Sequence, residues 1–381
     1  MELFAASLLV LWVFSTVGSW TAEQNNAHHE HRNNSGHCIV MIFWGVYTLG
    51  VIVSIFLSPE RESSIGYLSK HWHALLFPAV FSIKDLWGNL RYTASLFLAS
   101  ATVAAVAGMI RFGYEGLAYL EPPIIGVTTY AYLLVIAAII ALNNLLRGGH
   151  HNTSLTISVM LCIVFAIFYT TLKSAVIALF VGGLVLVAIV KPKFVPMWIA
   201  LIGLTLLLSP HVLISKFQWI LSGNPTDRYT LWERGLTLLK DVPLFGLGPN
   251  SFPHIISSIT GPAFVNKPPV TWHNDFLQTI LESGWLTGAA YIGMISMLFW
   301  LVIRLSIGTR TSEEKVQNTL LGTLMAIFIF FSMVSSVVST AALGVVWWLL
   351  LGVIAHVTDK GNAHNVKPSE HLTDHPQGNA R

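Results

Sequence analysis

Charge is what this sequence has least of. Only 10% of its 381 residues are Asp, Glu, Lys or Arg, against about 25% in a typical soluble domain. So few charges cannot cover a water-facing surface of this size, and much of the surface must face lipid. Cysteine is nearly absent too. Cys38 and Cys162 are the two present, and neither their number nor their spacing makes a disulfide framework or a zinc site. No long Lys/Arg run exists and the formal net charge is +3, which excludes nucleic acid as the main partner.

What replaces charge is apolar sequence, 54% of the chain at a mean hydropathy of +0.65. Runs long enough, or nearly so, to cross a bilayer lie at 2–19, 38–57, 66–83, 91–110, 125–146, 155–171, 174–190, 194–214, 285–305, 319–338 and 341–357. The expectation is an all-α polytopic membrane protein of about eleven transmembrane helices. The run at 2–19 follows a single charge, Glu2, and exceeds a signal-peptide core, so it reads as a first span. Lys70, His71 and His73 weaken the run at 66–83. The runs at 155–171 and 174–190 are separated by a few residues around Lys173 and predict a tight hairpin.

With the first end outside, the inner loops and tail hold Arg32, Lys84, Arg91, Arg147, Lys191, Lys193, Arg304, Arg310, Lys315, Lys360, Lys367 and Arg381. The short outer loops hold only Arg61, Lys70, Arg111 and Lys173, a bias that favours this orientation. The chain then divides into a helix bundle over 1–214, a long outer loop over 215–284, further spans over 285–357 and a polar tail over 358–381 expected to be disordered. His28, His29 and His31, like His150 and His151, read as solvated loop residues, since no carboxylate or cysteine pattern completes a metal cage.

The outer loop is the one extramembrane segment large enough to build a site. Asn224 and Pro225 can start a helix that runs to about Lys240 and places Arg228 and Trp232 on one face. Gly246 and Gly248, two alternating glycines before Pro249, predict a sharp turn or a close approach. Thr271 is the expected N-cap of a second helix, which puts His273, Asn274 and Asp275 in its first turn. Free N–H groups there favour an anionic ligand and keep an imidazole neutral, so His273 is a candidate general base beside a bound phosphate. Capping or interface packing is the competing reading of His273. Arg228 offers a planar fork for phosphate oxygens, and Lys173 stands alone in a chargeless stretch from Asn152 to Val190. Helix-surface charge and snorkelling are their ordinary alternatives. Arg111, at an outer helix end, and Tyr130, at the outer start of the 125–146 span, are further candidates for binding substrate; helix-end charge and helix-start polarity compete with that reading.

These motifs resemble the O-antigen ligase/polymerase superfamily of bacterial inner-membrane proteins. The matching text is Asp227-Arg228 with Trp232, then VPLFGLGPNSF at 242–252, then WHNDFLQTILESGWLTGAAYIG at 272–293. The hairpin text TTLKSAVIALFVGG at 170–183 is similar to another family region. The resemblance implies a GT-C-like fold with the usual twelve helices and a partly helical periplasmic loop. It also implies metal-independent, inverting transfer of O-antigen from an undecaprenyl-pyrophosphate-linked donor to lipid A–core, with no cofactor. His273, Arg228 and Lys173 become the catalytic group. Asn274, Asp275, Trp232, Arg111 and Tyr130 become binding residues, and Gly246, Gly248 and Glu282 become structural ones. The family usually has Arg at the position of Lys173 and Gly at that of Ser174. An O-antigen polymerase, a protein-glycosylating ligase and a non-enzymatic flippase or transporter are the alternatives. The scarcity of charge inside the spans counts against the last.

Overall fold

The computed structural model describes residues 35–83, 86–115, 120, 126–148, 153–207, 227–259, 271–308 and 311–364. Among them every regular element is helical. In chain order these are α1 (Ser35–Leu57), the short α2 (Arg61–Gly66), α3 (Leu68–His71) and α4 (Leu76–Phe81), then α5 (Leu86–Glu115), α6 (Val127–Arg147), α7 (Thr153–Tyr169), α8 (Lys173–Val190) and α9 (Val195–Leu207). The loop region contributes α10 (Asp227–Leu238) and α11 (Phe252–Ile259), and the chain closes with α12 (Asp275–Gly308), α13 (Ser312–Val334) and α14 (Ala341–His364).

Seven of these helices are long and apolar enough to cross a bilayer: α1, α5, α6, α8, α12, α13 and α14. The protein is therefore a polytopic helical membrane bundle. Helices α7 and α9 are shorter apolar members. The predicted span at 2–19, the end of that at 194–214 and the polar tail beyond residue 364 fall outside the described residues.

One expected span takes a different form. The run at 66–83 is not a single helix but α3, a 3-10 turn at Trp72–Leu75 and α4. Pro78 lies two residues into α4 and has no N–H for the carbonyl of Ala74, four residues back. The indole Nε1 of Trp44 in α1 donates to that carbonyl instead, at 2.9 Å. This broken segment lies alongside α14: His73 meets Gly344, Phe77 and Val80 meet Gly352, and His356 bonds the Phe81 carbonyl at 3.0 Å. The tight packing buries His73, Ala74, Phe77 and Val80.

A bend positions the site. The helical pattern that restarts after His273 runs through Glu282 and Gly284 into the span at 285–305 as one element, α12, and it is bent at Gly284, whose φ of 88° and ψ of 170° are not helical. The predicted span at 319–338 stops at Val334, and residues 335–340 form a polar, irregular link to α14.

Candidate functional site

One end of the bundle collects the end of α1, the starts of α6, α8, α12 and α14, the end of α13 and the loop helices α10 and α11. The loop is held there by backbone accounting. Because Gly284 opens α12, the carbonyls of Leu281 and Glu282 accept from the N–H groups of Leu247 and Gly248, at 3.0 and 2.8 Å. The Glu282 carbonyl also accepts from Ser54 Oγ of α1 at 2.8 Å. Gly246 and Gly248 have φ of 76° and 100°. A Cβ on Gly248 would lie 1.9 Å from Ser58 Oγ, and one on Gly246 2.4 Å from the Glu282 carbonyl oxygen. Ser63 and Ser64 bond the carbonyls of Asn250 and Pro249 from the other side, and the buried Glu282 carboxylate accepts from Asn250 N–H at 2.9 Å. The glycine turn is thus wedged between α12 and the serines after α1.

His273 stands just outside α12. Its N-cap is Asn274, whose Oδ1 accepts from Leu277 N–H at 3.0 Å, and not Thr271 as the sequence suggested. Thr271 instead takes the His273 N–H on its hydroxyl, at 3.3 Å, in a local turn that holds His273 at φ 51°. Left-handed backbone at a residue other than glycine stores strain and marks sites worth examining. Thr171, two residues before Lys173, is held at φ 57°. Burial, and secondarily the nearby Arg228 guanidinium, push the His273 imidazole down to about 4, so the ring is neutral near pH 7. The neutrality expected from a helix field has a different source, because the ring is not in the first turn.

Arg228 is half-buried on α10 and donates from Nη1 to the carbonyl of Val334 at 2.7 Å, one of the acceptors left open where α13 ends. Trp232, one turn further along α10, donates its indole N–H to the Trp272 carbonyl at 2.9 Å. It therefore holds the peptide next to His273, while Trp272 is fully buried with Leu231, Phe252, Leu277 and Leu281. Asp275 is turned away from His273. Its carboxylate is buried and accepts from the N–H groups of Val337, at 3.0 Å, and Val338, at 3.3 Å. Arg228 and Asp275 both serve the irregular link between α13 and α14.

Lys173 opens α8. Its neighbour Ser174 bonds the hydroxyl of Tyr132 at 3.0 Å, and the Tyr132 ring stacks on Phe331 with centroids 3.6 Å apart. Tyr132 also touches Ser335 and lies within electrostatic range of Arg228. The start of α8 is joined in this way to the surroundings of Arg228 and His273. Two candidates are not. Arg111 pairs with Glu115 at 2.9 Å, one turn along α5. Tyr130 is buried and gives its hydroxyl proton to the Ala104 carbonyl at 3.0 Å, tying α6 to α5. Tyr132 and the serines at 335 and 336 are the residues the sequence reading passed over. A visible signal did exist, the polar group Ser335, Ser336, Ser339 and Thr340 between two apolar runs.

No set of three or more His, Cys, Asp or Glu side chains able to hold a metal occurs among the described residues. Residues 158–292 match the family model described as O-antigen ligase. The match takes in Lys173, Arg228, both turn glycines, His273, Asn274, Asp275 and Glu282, and leaves Arg111 and Tyr130 outside. It suggests membership of the O-antigen ligase/polymerase superfamily. No curated protein matches the chain.

Proposed function

We propose that the protein is a membrane-embedded glycosyltransferase of the O-antigen ligase type. It moves O-antigen polysaccharide from undecaprenyl pyrophosphate to a sugar hydroxyl of lipid A–core, at the periplasmic face of the inner membrane. The observation that carries the reading is a neutral, strained histidine next to an arginine at one end of a membrane bundle, inside the segment matched by the family model.

The chemistry follows from those groups. The donor's polyprenyl chain lies in lipid while its pyrophosphate sits at the bundle end. Arg228, with Lys173 at the start of α8, neutralises the pyrophosphate as the glycosidic C–O bond breaks and the electron pair leaves with it. The acceptor oxygen attacks the anomeric carbon from the opposite side, which inverts its configuration, and His273 takes the hydroxyl proton. The two cations supply the neutralising charge, so the reading calls for no metal and no cofactor. Asn274 fixes His273 through the helix cap, and Trp232 fixes it through Trp272. Lys173 presents a point charge and not a planar fork, so it restricts pyrophosphate orientation less than arginine does.

The test is transfer in vitro by purified protein supplied with a polyprenyl-pyrophosphate glycan and either lipid A–core or a second donor molecule. The reading expects glycosylated lipid A–core, unaffected by chelator, and a loss of at least about a hundredfold in His273→Ala. Elongated lipid-linked glycan in place of glycosylated core assigns the protein as a polymerase. Undiminished transfer by folded His273→Ala removes the general base.

A further inference from the structure

One apolar side chain of the loop takes no part in holding it together. Leu231, Trp232, Leu238 and Leu239, on α10 and the turn after it, pack into the small loop core with Trp272. Leu236 does not join them and is 59% exposed. It lies in a groove of about 380 Å³, lined among the described residues by Trp232, Glu233, Leu236, Thr237 and Lys240. That volume is in the range of small-ligand sites, which combine apolar walls with a few placed polar groups.

The lining is sorted by chemistry. Trp232 and Leu236, four residues apart on α10, supply the apolar surface. The Trp232 ring is fixed in advance, because its one N–H is given to the Trp272 carbonyl at 2.9 Å. Thr237 gives its hydroxyl proton to the Glu233 carbonyl at 3.0 Å, which leaves its oxygen to accept. The Glu233 carboxylate also accepts, and the Lys240 ammonium only donates. An aromatic surface bordered by acceptors and a cationic donor is complementary to a sugar, whose C–H face is apolar and whose edge carries hydroxyls. Lys240 adds a preference for a saccharide with an anionic substituent.

We propose that this groove binds the saccharide of the acceptor, with a sugar ring against Trp232 and an anionic substituent at Lys240. This rests on the function proposed above and names a substrate subsite for it. The choice of acceptor over donor follows from the side of the reaction on which the groove lies. The pyrophosphate is assigned to Arg228 and Lys173. Inversion brings the acceptor oxygen to the opposite face of the anomeric carbon, where His273 takes its proton. The groove starts at Trp232, which holds the peptide adjoining His273, and leads away from Arg228 to Lys240, just past the end of α10. A saccharide laid in it reaches the reaction from the side of the base.

Three variants of the full-length protein test the groove. Thr237→Trp fills it from an exposed helix position, Lys240→Glu reverses the charge at its far end, and Lys240→Arg keeps that charge. Ile110→Trp, at an exposed position on α5, controls for added bulk. The first readout is steady-state transfer with donor and acceptor varied separately. We expect KM for the acceptor to rise at least about tenfold in Thr237→Trp and about threefold or more in Lys240→Glu, with kcat and KM for the donor unchanged. Lys240→Arg should stay close to wild type. The second readout is calorimetric titration of the detergent-solubilised protein with lipid-free core oligosaccharide, which needs no turnover. Binding should be lost in Thr237→Trp and kept in Ile110→Trp. Should Thr237→Trp fail to fold, Lys240→Glu, a change at an exposed side chain, decides by the same two readouts. An unchanged acceptor KM in a folded variant overturns the assignment, and so does a rise confined to KM for the donor, which places the donor's glycan in the groove. Oligosaccharide binding that Thr237→Trp abolishes, in a protein whose wild type transfers nothing, keeps the groove and overturns the proposed reaction instead.

Discussion

Gly246→Ala probes the joint on which the loop depends. At φ 76° an alanine pays about 1–2 kcal/mol for left-handed backbone. Its Cβ would stand 2.4 Å from the Glu282 carbonyl oxygen and 2.5 Å from Gly284 N, where ordinary contact begins at 3.4 Å. Those neighbours are backbone and cannot rotate aside, so the turn must retreat by about 1 Å. That movement disturbs the bonds from Leu247 N–H and Gly248 N–H to the Leu281 and Glu282 carbonyls, each contributing about 0.5–1.5 kcal/mol. Local opening of the 242–252 segment should become easier by about 2–5 kcal/mol, a factor between about thirty and several thousand in population. The assay is limited trypsin digestion of folded protein, followed at Lys240, which stands exposed just ahead of the turn, together with the thermal midpoint. Gly45→Ala is the control, because a Cβ there meets nothing within 4 Å and a helical alanine is mildly favourable. Cleavage at Lys240 and a midpoint both equal to wild type in Gly246→Ala would refute the reasoning.

Other outcomes follow from the same contacts. Asp275→Ala strands the buried N–H groups of Val337 and Val338 and should cost about 2–6 kcal/mol, with Asp275→Asn intermediate; a thermal melt in detergent checks the order. Tyr132→Phe removes the hydroxyl that meets Ser174. It should change stability by no more than about 1 kcal/mol yet raise KM for the donor several-fold, whereas Tyr130→Phe should leave KM alone, and equal kinetics in the two variants contradict the placement. For pH, the competent form of His273 is neutral, so kcat/KM should be level from pH 8 to near 5 and fall as acid protonates the ring, with half-loss near its value of about 4. Because Arg228 contributes to that depression, Arg228→Ala should move the acid limb upward at a lower rate; a downward or absent shift argues against the pairing.

How much of this was legible in the chain differs from one residue to the next. The scarcity of charge dictates lipid as solvent, and in lipid the backbone must satisfy itself within helices; that link needs only composition. The glycines at 246 and 248 announce their turn because no other residue adopts those angles without cost. His273 and Arg228 stand out by their place in local patterns, Arg228 one helical turn before Trp232 and His273 two residues after Thr271 at the start of a helical period. Tyr130 and Asp275 have partners that the sequence did not show, for a common reason. A polar side chain near a helix end looks available to a ligand until its hydrogen-bond partner is known, and that partner can be any distance away in sequence. Ala104 claims Tyr130, and Val337 and Val338 claim Asp275.

Periodicity and residue chemistry, both local properties, determined by themselves the helical membrane character and the candidate loop with the residues proposed to act in it. Long-range packing decided the rest: the bend at Gly284, the link at 335–340 and the partners that hold Tyr130, Tyr132 and Asp275. Each of these is a matter of which buried donor meets which acceptor. Such pairings are fixed only when helices far apart in sequence close around them and exclude the water that would otherwise serve any group equally.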